Sequence, residues 1–228
     1  MCGKQLYHMC KVIPVSAAGI VSDAVSLAAQ VISQGCVVAV PTDTVYGLAC
    51  NAQDSHAVTK LYAIKGRNLA NPVSICVGKV SDIGQWADVK HLERRLLNTL
   101  LPGPVTLVLN RSPLLNPSLN PETLKVGVRV PECSFVLQLA ATCGVPLALT
   151  SANTSGDAAS LQTSEFAHLW ARLGAVVDAG RLGAQADRRH GSTVVDLSAE
   201  GRYQVLRAGV ACAGTVRVLR AFGLVDAP

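Results

Sequence analysis

A chain of 228 residues that is 50% hydrophobic and only 15% charged can bury a sizeable core and is not a disordered protein. Aromatic residues make up 4%, which leaves Val, Leu, Ile and Ala to fill that core and speaks against a nucleic-acid platform of stacked rings. The net charge of +5 suits an anionic ligand and tolerates RNA, but charge at this level carries meaning only where it clusters.

In chain order, Gly19 to Gln34 carries Val21, Val25, Ala28, Ala29 and Ile32 at helical spacing, with Ser16 or Ser22 as its cap and Gly35 as its stop. CVVAV at 36–40 reads as a short buried strand closed by Pro41. Residues 55–65 are helical again, PVSICV at 72–77 is a strand, and Leu92 to Leu101 is a helix ending before Pro102-Gly103-Pro104. Further strands are expected at 105–109, 126–130, 146–149, 175–177, 193–197 and 204–207, and helices at 134–143 and 163–172. Apolar strands alternating with helices argue for an α/β sheet covered on at least one face. Residues 110–123 and 180–191, rich in Pro and Gly, are candidate rims. The reading is an extension over 1–11, one domain over 12–212 and a tail over 213–228 that can be helical.

Several segments place small polar and cationic groups at strand ends. PTDTVYGLACN (41–51) follows a buried strand, and ligands of open α/β sheets bind at such edges. It is also what an ordinary strand-to-helix turn looks like. KGRNLANP (65–72) sets Lys65 and Arg67 beside a polar turn, where they can grip a phosphate or simply complement a helix C-terminus. In VGVRVP (126–131), Val126, Val128 and Val130 point one way and Gly127 and Arg129 the other. Arg129 then needs solvent or an anion, either a ligand or a structural acid. TSANTSG (150–156) ends an apolar strand with hydroxyls and turn formers that suit phosphate oxygens or a surface loop. Ser192 and Thr193 open one strand and Arg207 closes another. There is no Walker loop, no Rossmann fingerprint, no Ser-His-Asp or Cys-His arrangement and no His pair with metal spacing. Catalysis by positioning and charge stabilisation is expected, without a covalent intermediate and without a resident metal.

The eight cysteines form no C-x-x-C pair and sit mostly in apolar runs, as small buried hydrophobes of a reducing compartment. No apolar run is long enough to span a bilayer. MCGKQLYHMCK lacks the apolar stretch of a signal peptide and the Arg of a mitochondrial presequence, so the cytoplasm is expected, with a mitochondrial pool through an alternative start left open.

Taken in this order, PTDTVYGL, KGR followed by NP, PGPVTLVL, VGVRVP, TSAN with SG, STVVD and VLRAG resemble the YrdC family of threonylcarbamoyl-adenylate synthases from about Val12 to Gly209. The resemblance implies a twisted open mixed sheet flanked by helices, with a concave basic pocket. It implies that Thr44, Arg129, Leu149, Ser192 and Thr193 hold threonine, Leu149 through its main chain. By the same resemblance Arg67, Asn71, Lys125, Ser151, Asn153, Ala159 and Arg207 surround ATP, with Lys65 near the phosphates and Lys65 and Arg67 as the catalytic cations. One departure is Cys76, which stands where many members have His. Longer relatives carry a further C-terminal domain, and this chain resembles the single-domain form.

The implied reaction consumes L-threonine, bicarbonate and ATP, with magnesium, and releases pyrophosphate. A downstream transferase complex then moves the threonylcarbamoyl group to adenosine beside the tRNA anticodon. Two other readings share the pocket: an RNA-binding maturation factor with steeply salt-dependent affinity, and a carbamoyl-transfer domain acting on another amine. Weak direct RNA binding is compatible with the charge.

Overall fold

The structure is a computed structural model that describes residues 10–15, 21–66, 72–183 and 189–227. It begins with β1 (Lys11–Pro14), α1 (Val21–Ser33), β2 (Val38–Val40), β3 (Gly47–Asn51), α2 (Ser55–Lys65) and β4 (Ser74–Cys76). Short helices α3 (Ile83–Trp86) and α4 (Arg94–Leu100) lead to β5 (Val105–Asn110) and β6 (Lys125–Arg129). Next come α5 (Ser134–Cys143), β7 (Leu147–Ser151), a 3-10 stretch over Thr163–Arg172 and β8 (Ala175–Asp178). The chain closes with β9 (Thr193–Asp196), β10 (Arg202–Arg207), α6 (Cys212–Ala221) and β11 (Val225–Asp226).

Local chemistry explains the sharpest boundaries. Asp54 precedes α2, and its side chain accepts from the backbone N–H groups of His56 and Ala57, while Gly66 ends the helix in the left-handed region. Gly144 ends α5 in the same way. Both helices coincide with the expected 55–65 and 134–143. Elsewhere the structure differs. Ser22 lies inside α1 and is not its cap, and Ser16 lies outside the described residues. Residues 163–172 form 3-10 turns with a non-helical Phe166 (φ −121, ψ 26), not an α-helix. The segment read as a turn at 41–51 contains a full strand, β3.

Among the described residues eleven strands form one mixed sheet in the order β1-β8-β2-β3-β7-β4-β6-β5-β9-β10-β11. Period-two alternation sorts its side chains into two layers. Ala39, Ala148, Val176, Val126, Val128, Leu107 and Val195 join one core with α2, α3, α4, α6 and the 3-10 stretch. Val38, Val40, Leu147, Leu149, Ala175 and Val177 join the opposite core, covered by α1 and α5. That second cover stops at β7 and β4: no residue of β5, β6, β9 or β10 belongs to it. The sheet face beyond the edge of the helices is therefore open to a ligand.

Candidate functional site

The open face holds a cavity of about 470 Å³, within the size range of small-molecule sites. Its floor follows the alternation of the strands. Lys125, Gly127 and Arg129 of β6 face it, with Thr106 and Val108 of β5 and Val194 and Asp196 of β9. Ser74 of β4 and Leu149 and Ser151 of β7 continue the floor, and Thr42, Thr44 and Gly47 close one end. Two glycines keep the floor low. A Cβ at Gly127 would lie 2.8 Å from Ser74 Oγ, and one at Gly47 would lie 2.7 Å from the Leu149 side chain.

Among the described residues, four cations line this cavity, Lys125, Arg129, Arg189 and Arg207, against a single carboxylate, Asp196. Arg129 is buried, and its Nη2 meets Asp43 Oδ1 at 2.6 Å. The other Asp43 oxygen accepts from the Glu132 N–H at 3.0 Å. Among the described residues, the buried Arg129 Nε has no hydrogen-bond partner, and the same holds for Thr193 Oγ1. Arg207 donates from Nε and Nη2 to the Ser192 carbonyl and from Nη2 to Ser192 Oγ at 3.1 Å. Burial, and then the charge of Arg129, lower the Arg207 guanidinium from its ordinary value. Two positive charges are thus held near each other at one end of the cavity. Ser192 Oγ also pairs with Thr106 Oγ1 at 2.8 Å. Gly209, just after Arg207, lets the chain cross Ser192-Thr193, since a Cβ there would stand 2.3 Å from Thr193 N.

At the wall formed by 41–46, Thr42 Oγ1 donates to the Val45 carbonyl and accepts from the N–H groups of Thr44 and Val45. This side-chain turn fixes Thr44, whose hydroxyl lies 3.2 Å from that of Thr42. The Tyr46 hydroxyl donates to the Gly180 carbonyl and accepts from the Ala179 N–H, tying the wall to the 180–183 rim. Burial pushes that phenol up to about 12, so it stays protonated.

Thr44, Arg129, Leu149, Ser192, Lys125, Ser151, Ala159 and Arg207 all line the cavity. Thr193 lies behind Ser192, fully buried. Lys65 and Asn153 sit beneath the lining. Lys65 Nζ donates to the carbonyls of Ser151 (2.9 Å) and Asn153 (2.5 Å) and to Asn153 Oδ1 (3.2 Å). Its ammonium clamps the turn that carries Ser151 and does not reach the cavity. Burial lowers it to about 8, opposed by the charge of Asp157. Arg67 and Asn71 lie outside the described residues, while Pro72, which follows them, lines the cavity. Cys76 is fully buried in the core under α5, and burial pushes its thiol up to about 12. It is a neutral packing group and does not reproduce an imidazole at that position.

Sequence reasoning takes Asp43 only as a small polar group at the strand edge, without its pairing to Arg129, and passes over Thr106, Arg189 and Asp196. For Thr106 and Asp196 the signal was present, since each falls in phase with a cavity-facing neighbour in PVTLVL and STVVD. For Asp43 and Arg189 the partners are far apart in the chain and no spacing announces them.

A family model described as Telomere recombination, for the Sua5, YciO and YrdC proteins, matches residues 30–209. The chain belongs to the Sua5/YciO/YrdC family. Within it, the chain is 47% identical over 201 residues to the threonylcarbamoyl-AMP synthase of Mus musculus, covering 87% of this chain and 71% of that one. With the Homo sapiens enzyme of the same name it shares 46%, covering 87% and 72%. A crystal structure of Pyrococcus abyssi Sua5 complexed with L-threonine superposes with a TM-score of 0.84 at 28% identity. The match covers 95% of this chain and 62% of the P. abyssi chain, which is the longer by more than a third of its own length. Escherichia coli YciO, at 21% identity and TM-score 0.79 over 89% of this chain and 97% of its own, shares the fold. The mixed α/β sheet flanked by helices is the fold of the family.

Proposed function

We infer that the chain is a threonylcarbamoyl-AMP synthase, a nucleotidyltransferase that joins L-threonine, bicarbonate and ATP with release of pyrophosphate. The observation that carries this reading is the cavity itself: two arginines, Arg129 and Arg207, line it together with the hydroxyls of Thr44, Thr106 and Ser192, with no nucleophile in activated geometry among the described residues. Such a site binds and polarises anions.

In this reading Arg129 receives the threonine carboxylate, with Thr44, Ser192 and Thr193 beside it and the Leu149 main chain as a wall. The buried Arg129 Nε, which has no hydrogen-bond partner among the described residues, supports that placement, because it gains the partner it lacks when an anion arrives. Arg207, Lys125, Ser151, Asn153 and Ala159 belong to the nucleotide, joined by Arg67 and Asn71 from the segment ahead of Pro72. Lys65 acts as the clamp of Ser151 and Asn153. The threonine amine and bicarbonate give the carbamate with loss of water. A carbamate oxygen attacks the α-phosphorus, the bond to the bridging oxygen breaks, and pyrophosphate leaves as the anion. Arg207 offsets the charge that grows on the phosphate oxygens, and no covalent bond to the protein forms.

Among the described residues no three His, Cys, Asp or Glu side chains gather where they could hold a metal ion. The donor set does not form a magnesium cage, so in this reading magnesium arrives with the triphosphate. We assign the catalytic unit to residues 12–212. The product passes to a transferase complex acting on tRNA. The seven cysteines among the described residues are all free, as in a reducing compartment, which supports a cytoplasmic enzyme with room for a mitochondrial pool; no described helix is long and apolar enough to cross a membrane. Incubation with ATP, bicarbonate and single amino acids tests the activity: pyrophosphate release is expected to require threonine and bicarbonate together. Serine is expected to serve less well, since one buried methyl contributes about 1 kcal/mol. Equal release without threonine would overturn the assignment.

A further inference from the structure

We propose that Asp196 recognises the ribose hydroxyls of the nucleotide, with Lys125 holding its carboxylate in place. This rests on the reading of the cavity as an ATP site and adds the residue that selects a ribonucleotide.

Among the described residues, Asp196 is the one carboxylate lining a cavity that otherwise presents four cations. A phosphate within reach of it would be repelled, so it must face a neutral part of the ligand that offers N–H or O–H donors. Its place along the strands says which part. Val108 pairs with Asp196 in the parallel β5–β9 ladder, and Val105 pairs with Thr193 beside the Ser192–Arg207 contact. Thr106, bonded to Ser192 Oγ, therefore marks the anion end. Asp196 lies one pleat further on, about 7 Å at the rise of a strand. That step matches the distance from a reacting α-phosphate to the sugar it carries.

The valence also fits. Asp196 Oδ2 accepts from Lys125 Nζ at 2.7 Å and Oδ1 from the Ser198 N–H at 2.8 Å. Each oxygen retains a further lone pair, and two adjacent hydroxyls are the matching donors. Burial pushes this carboxyl up, but the bonds from Lys125 and Ser198 outweigh it and hold the group below the usual carboxylate range. It is therefore ionised and accepts only. An apolar surface flanks this part of the cavity and suits the base. The β9–β10 register shifts between Val205 and Arg207, and the extra residue, Leu206, 51% exposed, lines the cavity with Val108 and Val194.

The test compares ATP with 2′-deoxyATP and 3′-deoxyATP, with threonine and bicarbonate present, in the wild-type protein and in Asp196→Asn. A charge-assisted hydrogen bond lost to each deoxy analogue is expected to raise its KM by about 10- to 100-fold in the wild type. In D196N the KM for ATP is expected to rise to that of the analogues, with the ratio falling close to one and a melting curve confirming the fold. Wild-type protein that takes all three nucleotides alike would overturn the proposal without recourse to a variant. So would a D196N protein that keeps the ribose preference, or one whose magnesium requirement rises equally for all three nucleotides, which would give the carboxylate to the metal. Calorimetric titration with the three nucleotides reads the same ratio without turnover. Absence of threonine-dependent pyrophosphate release therefore strikes the synthase reading, while the binding ratio still decides this one.

Discussion

Arg129 has to satisfy two partners at once. The sequence leaves its anion open between a ligand and a structural acid, and the fold supplies Asp43, 86 positions away, without closing the ligand side. The two roles are not alternatives. Removing one member of a buried ion pair costs about 3–5 kcal/mol, because the other charge stays buried without its partner. Arg129→Gln is therefore expected to lower the melting temperature and also to raise the threonine KM by tenfold or more. Asp43→Asn keeps size and one acceptor, yet loosens the guanidinium. Separate titrations are expected to show a larger rise in KM for threonine than for ATP, and equal changes would reduce the pair to scaffolding. Lys65 offers a pH signature. Its ammonium, near 8, must stay protonated to hold Ser151 and Asn153. Turnover should fall on an alkaline limb near pH 8, and Lys65→Met should be slow at every pH and lack that limb; a limb surviving in K65M assigns it elsewhere. Stability responds in the opposite sense. The folded value lies below the ordinary 10.5, so between about 8 and 10.5 the unfolded chain binds more protons, and the contribution of Lys65 to stability rises with pH.

At the scale of elements, legibility in the sequence tracks how local the cause is. α2 and α5 were readable because Asp54, Gly66 and Gly144 set their ends within the segment itself. β3 was not readable, because GLACN has little strand propensity and owes its form to β2 on one side and β7 on the other. The alternation of VGVRVP placed Arg129 correctly, and the same reasoning applied to PVTLVL and STVVD would have reached Thr106 and Asp196. Strand order was beyond it: nothing local says that β8 lies between β1 and β2. Two glycines test how much the junctions of these elements matter. Gly209→Ala would drive a methyl into the Ser192–Thr193 backbone, parting β10 from β9 at the point where Arg207 grips Ser192. It is expected to weaken ATP binding by more than tenfold or to prevent folding. Gly214→Ala, inside α6 with nothing within 4 Å of the new carbon, is expected to stabilise the protein by about 0.5–1 kcal/mol. Equal melting temperatures for the two variants would contradict the crossing described at Gly209.

The molecule as a whole is one sheet with unequal cover. The face over α2, α3, α4 and α6 is closed along its length, whereas the opposite face is closed only where α1 and α5 lie. The uncovered half collects like charge, with Arg129 close enough to lower Arg207. Such an arrangement is destabilising until an anion fills it, so ligand and fold are thermodynamically linked. A nucleotide at a hundredfold excess over its Kd contributes about 2.7 kcal/mol, and each kcal/mol moves the melting point of a domain this size by about 2–4 °C. ATP alone is thus expected to raise the melting temperature by about 5–11 °C, and threonine with ATP by more than ATP alone. The Arg207→Gln variant separates linkage from general salt effects. It relieves the repulsion, so the free protein should melt at or above the wild-type temperature unless the lost Ser192 contacts dominate. In either case the shift produced by ATP should shrink by half or more. Thermal scans with ATP, with threonine and with sodium sulfate at matched ionic strength measure this directly. A shift that sulfate reproduces in full, or that Arg207→Gln leaves intact, would mean that the open face is no nucleotide site.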